Sequence, residues 1–70
     1  MTRLRVKEVA QAKGFTMAKL QRAADINLKT IQAIWHNPYH DASFKTLDKI
    51  AKVLHVPVTD LIEDVPDDGR

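Results

Sequence analysis

The stretch Gly14 to Asn37, GFTMAKLQRAADINLKTIQAIWHN, constrains this chain more than any other. It holds two short amphipathic helix patterns separated by a three-residue break, Asp25-Ile26-Asn27. Thr16 is a good N-cap for the first pattern, and Met17, Leu20, Ala23 and Ala24 share one helical face. Asp25 breaks that face. Asn27 caps the second pattern, whose apolar side is Ile31, Ile34 and Trp35 at i, i+3, i+4. Asn37-Pro38 ends it, because proline disfavours helical geometry in the residue before it. The fold is therefore to be built around a short helix, a tight turn and a second helix.

Further helices flank this unit. Val6 to Lys13 reads as a first helix, with Val6, Val9 and Ala10 as its buried stripe and Ala12 at the margin. Gly14 stops it where a left-handed C-cap is usual. His36 to Ala42 is a polar loop. Ser43 then caps a fourth helix with the stripe Phe44, Leu47, Ile50, Ala51 and Leu54, the cleanest amphipathic pattern in the chain. Lys49, Lys52 and His55 lie in its last turns, where cations suit the helix dipole. Pro57 fits the first position of a short fifth helix, with Asp60 in its first turn and Leu61 and Ile62 inward. The expectation is an all-α, compact five-helix bundle. Thr2–Arg5 and Ile62–Val65 are both short, alternating and terminal, so one strand pair stays open as an addition. Residues 1–63 form the domain and 64–70 an acidic tail expected to fray.

Seventy residues make one small domain, and 44% apolar content is enough for one core. Such a core leaves stability marginal, so dimerisation or efficient packing would help. There is no cysteine, which removes disulfides, thiol catalysis and cysteine metal sites. Met1 to Leu4 opens without a long apolar run, so neither a signal peptide nor a membrane span is expected, and a cytoplasmic location fits. The net charge of +2 hides an asymmetry. Residues 1–52 carry ten Lys/Arg against Glu8, Asp25, Asp41 and Asp48, a balance of +6. Residues 53–70 carry Arg70 against Asp60, Glu63, Asp64, Asp67 and Asp68, a balance of −4. A basic body with an acidic end points to an anionic partner for the body, or only to a solubilising surface.

A helix, turn and second helix is also the unit that carries a helix end into the DNA major groove. With Ile31, Ile34 and Trp35 inward, the second helix presents Leu28, Lys29, Gln32, Ala33 and His36 outward. Gln32 can pair bidentately with adenine, Lys29 can donate to guanine O6 and N7, and Ala33 or Leu28 can touch a thymine methyl. The positive helix ends, with Thr16, Lys19, Thr30 and Lys45, can hold phosphates. His36 adds a phosphate candidate at the far end.

These residues resemble the Cro/repressor-type helix-turn-helix family of phage and bacterial regulators, with its lambda-repressor-like fold. The resemblance runs from about Val6 to Ile62. It rests on Gly14-Phe15-Thr16, Leu20, the Ala24-to-Asn27 turn, Ile31, Ile34 and the run Thr46 to Leu54. The ending Asp60-Leu61-Ile62-Glu63 through Val65-Pro66-Asp67 is similar to that of short, stand-alone bacterial regulators. The resemblance implies duplex DNA binding, commonly as a dimer on two-fold sites, with the third helix as reader. By position it implicates Asn27, Leu28, Lys29, Gln32 and Ala33 in base contact. Thr16, Met17 and Thr30 fall where phosphate contacts are usual, although Met17 replaces the polar group such a contact needs. Asp25 and His55 stand where glycine is common, and Asp tolerates a left-handed backbone better than most residues. Gln21 replaces a small residue between the two helices, so its side chain must slip outward or the helices must separate.

Other readings are weaker. His36 and His40 have a metal-ligand spacing only on a continuous helix, and Pro38 interrupts it; a solvated loop is expected, with no metal and no cofactor. Trp35 and Met17 are read as packing residues. An enzyme is not expected: Ser43, the single serine, is already used as a cap, and no glycine-rich phosphate loop is present. No small-molecule ligand is expected. The function expected is a sequence-specific double-stranded DNA-binding transcriptional regulator of repressor type, acting as a homodimer through Leu4, Val58, Leu61 and Val65. The alternative is an antitoxin-like module on the same fold that holds a partner protein.

Overall fold

A computed structural model describes residues 1–66. The chain runs β1 (Thr2–Leu4), α1 (Val6–Ala12), α2 (Met17–Ala24), α3 (Leu28–His36), α4 (Phe44–Leu54), a 3-10 turn (Val58–Leu61) and β2 (Ile62–Asp64). The sequence expectation of five helices becomes four α-helices and a two-stranded sheet. The fifth segment is too short for an α-helix. It begins after extended Pro57, closes Asp60 N–H onto the Pro57 carbonyl at 3.0 Å, and gives way to extended Ile62. The chain leaves the turn there because β2 pairs antiparallel with β1, Leu4 opposite Ile62 and Thr2 opposite Asp64. The ladder continues beyond both strands, from Arg5 N–H to the Leu61 carbonyl and from Val65 N–H to the Met1 carbonyl. Asp64 thus ends β2, and Val65 adds one backbone hydrogen bond beyond it. Residues 67–70, the rest of the expected acidic tail, lie outside the described residues.

The helix ends follow local chemistry. Thr16 Oγ1 accepts from Lys19 N–H, Asn27 Oδ1 from Lys29 N–H and Ser43 Oγ from Thr46 N–H, each satisfying an orphan donor of the first turn. Helix α1 closes with Gly14 N–H on the Gln11 carbonyl and Phe15 N–H on the Ala10 carbonyl. That pair of bonds requires Gly14 at φ 80°, in the left-handed region. His55, at φ 59°, closes α4 the same way, onto Lys52 and Ala51.

One core joins all the elements: Leu4, Val6, Ala10, Leu20, Ala24, Ile26, Ile31, Ile34, Leu47, Ile50, Ala51, Leu54 and Leu61. Val9, Met17 and Trp35 pack against its edge, as helical spacing predicts. Three stripe residues depart from expectation. Ala12 and Ala23 are exposed on the margins of their helices. Phe44 is 71% exposed, because it occupies the first position of α4 and no described element covers that turn. Two residues expected at a dimer surface, Leu4 and Leu61, are buried in the protomer's own core. The sheet that sequence left open pairs Leu4 with Ile62, and the 3-10 turn that carries Leu61 packs against α1 and α4. Val58 and Val65 remain half-buried.

Candidate nucleic-acid interface

Helix α3 is held by two side chains. Ile31 and Ile34 are buried, while Trp35 packs half-buried beside them. Their spacing fixes the helix's rotation about its own axis, so Leu28, Lys29, Gln32 and His36 must face solvent, and all four are exposed. Leu28, a large apolar side chain, is 51% exposed at the first position of the helix. Ala33 and Thr30 flank the strip and are half-buried. Asn27 is exposed, but its Oδ1 is already engaged on Lys29 N–H at 2.9 Å.

The turn before α3 departs from expectation in an informative way. Asp25 takes the left-handed conformation, φ 54° and ψ 55°, and its N–H reaches the Gln21 carbonyl. Ile26 N–H bonds the same carbonyl at 3.2 Å. Gln21 does not slip outward into solvent: it stays half-buried. Its Nε2 folds over the turn and donates to the Ile26 carbonyl at 2.7 Å. Residue 21 therefore clamps the turn from both its backbone and its side chain. Sequence reading missed this because it weighed Gln21 only by bulk, and not by the carbonyl that the turn leaves open.

The other candidates divide. Thr16 is exposed at the start of α2, with its hydroxyl engaged as a cap. Lys19 extends along the Phe15 ring, its ammonium 5.2 Å from the centroid. Met17 packs against the core edge, so it has little to offer a phosphate. Lys45 is exposed on α4. Among the described residues, the ion pairs are N-terminus to Asp64, Arg3 to Glu8 and Glu63, and Lys52 to Asp48. Lys19, Lys29 and Lys45 take part in none of them, which leaves their charge available to an anion. Arg3 is engaged instead: its guanidinium is held above its usual range by hydrogen bonds to Glu8 and then Glu63. Lys7, not singled out by sequence, lines a small cleft of about 210 Å³ with Trp35 and His36 at the end of α3.

No polar side chain is buried among the described residues, so the chemistry this fold offers is surface chemistry. Those residues hold no cluster of three or more potential metal ligands, and none of their helices is long and apolar enough to cross a membrane. The family model of the Cro/C1-type HTH DNA-binding domain matches residues 5–67.

The chain belongs to this family.

As a Cro/C1-type domain it is a DNA-binding regulator, and double-stranded DNA is its partner class. The match spans α1 to β2 and so includes α2, the clamped turn and α3. Among curated proteins no similar sequence is found.

Proposed function

We propose that this Cro/C1-type domain is a sequence-specific transcriptional repressor that binds duplex DNA as a homodimer, with the N-terminal half of α3 in the major groove. The observation that carries the reading is the rotation of α3. Buried Ile31 and Ile34 leave Leu28, Lys29 and Gln32 in solvent on one strip. Lys29 and Gln32 read base edges, Leu28 and Ala33 touch thymine methyls, and Asn27 lies at the rim of the base contacts. Thr16, Lys19, Thr30, His36 and Lys45 contact phosphates and set the register without reading sequence. Met17 supports that end by packing rather than by a polar contact. Two of the reading side chains are apolar, so specificity rests on few hydrogen bonds.

Selection of bound fragments from random duplex DNA tests the reading. A recurrent two-fold site is expected, with binding that weakens steeply as salt rises. Lys29→Ala and Gln32→Ala should each cost about 1–3 kcal/mol on that site and relax one base position. Tight duplex binding that survives both changes would sink the assignment of α3 as reader. No duplex binding at low salt, with a protein partner co-purifying, would select the antitoxin-like alternative.

A further inference from the structure

Ile31 and Ile34 set the rotation of α3 about its own axis. The tilt of that axis against α2 depends also on the join between them, which is only Asp25, Ile26 and Asn27. Residue 21 reaches this join from both its backbone and its side chain. Its carbonyl accepts the Asp25 and Ile26 N–H groups, and its Nε2 donates to the Ile26 carbonyl at 2.7 Å. The peptide units on both sides of Ile26 are thereby tied to α2, just before the Asn27 cap. Among the described residues no backbone N–H bonds the Ile26 carbonyl, so Gln21 is its partner. The Ile26 side chain is buried, so the core holds the middle of the join while Gln21 holds its backbone.

We propose that Gln21 is a positioning residue for DNA reading: by holding the Ile26 carbonyl it fixes the tilt at which α3 enters the major groove, and so sets how strongly the domain prefers its site to other duplex. The inference rests on the proposed reading by α3 and adds a residue that acts on it through the turn.

Base readout is demanding of position. A reading side chain must be held within about 0.5 Å and 10–20° of its productive geometry. Gln32 lies about 9 Å beyond Ile26 along the helix axis, at about 1.5 Å per residue. A swing of about 10° about Ile26 therefore displaces it by roughly 1.6 Å, about three times that tolerance. The phosphate contacts respond differently. Thr16 and Lys19 belong to α2 and its cap, Lys45 belongs to α4, and those two helices pack directly on each other. Loosening the join leaves these contacts in place, and they supply affinity that does not depend on sequence. A loosened α3 thus loses the specific increment and keeps the non-specific one. Lower stability alone acts otherwise: it reduces the folded fraction and weakens binding to every duplex by the same factor.

The test compares two duplexes, the one selected from random DNA by the wild type and one of the same composition in shuffled order. Gln21→Met has a side chain of similar length and no donor, and circular dichroism checks that it is folded. The ratio of its affinities for the two duplexes should fall about tenfold, the size of one lost base contact, with binding to the shuffled duplex unchanged. Gln21→Lys supplies a donor again, and its added charge strengthens binding to both duplexes alike, so its ratio should return toward that of wild type. A folded Gln21→Met that keeps the wild-type ratio overturns the proposal, as does a loss shared equally by both duplexes. A Gln21→Lys ratio as low as that of Gln21→Met overturns it too, because the donor is then not what holds the helix. A wild-type chain that binds both duplexes equally fails the reading by α3 itself and this proposal with it. That outcome is told apart from the others because it is seen without any variant.

Discussion

His55 and Asp25 hold nearly the same left-handed backbone, φ 59° and 54°, yet the strain differs. A residue with a Cβ loses about 1–2 kcal/mol in this region, and Asp and Asn lose less because their short polar side chains bond locally. Exchange for glycine removes the strain but raises the entropy of the unfolded chain by about 0.4–1 kcal/mol. The two effects nearly cancel at Asp25. At His55, an exposed residue outside every ion pair of the described residues, the strain is larger and wins. His55→Gly should therefore stabilise the domain by about 0.5–1 kcal/mol, and Asp25→Gly by close to nothing. Urea denaturation checks this as a midpoint that rises at unchanged slope. Equal gains at both positions would show that the Asp side chain confers no tolerance here.

At the scale of elements, what could be read in sequence was what is local. The caps Thr16, Asn27 and Ser43 each meet an N–H two or three residues on, and nothing distant can alter that spacing. The stripes Leu20–Ala24, Ile31–Ile34 and Leu47–Leu54 followed from helical period alone. Phe44 fits the same period and is nevertheless exposed, because the period says which face a residue joins and not whether another element covers it. The α2–α3 join likewise depends on non-local geometry: the Ile26 carbonyl becomes a target for Gln21 only after Asp25 has turned left-handed. Gln21→Met keeps the volume and removes the donor, so it isolates the clamp. It should cost about 1 kcal/mol of stability by urea denaturation. No measurable loss would mean that water replaces Gln21 at the carbonyl and that the hydrogen bonds to the Gln21 carbonyl suffice to hold the turn.

For the whole molecule, the decisive residue is one that sequence assigned to a partner. Leu61 and Leu4 come from opposite ends of the chain and meet in one core because β1 and β2 pair. The sheet thus closes the domain: β1 is tied on one side to β2 and on the other to the α3–α4 loop, through Leu4 N–H on the Pro38 carbonyl at 2.6 Å. A chain of this size has a total stability of roughly 4–10 kcal/mol. Truncating a fully buried leucine costs about 2–5 kcal/mol. Leu61→Ala therefore removes a large share of the total, although it lies outside the helix-turn-helix. Its effect should be global, since Leu61 packs in the same core as Ile31 and Ile34, which fix the rotation of the reading helix. A thermal melt followed by helical circular dichroism should show one cooperative transition shifted strongly downward. Duplex binding should fall with the folded fraction and recover as DNA is added, because a ligand of the native state stabilises it by mass action. A local loss, with the helical signal melting at its original temperature, would instead show that the termini are appended to a bundle that is stable without them.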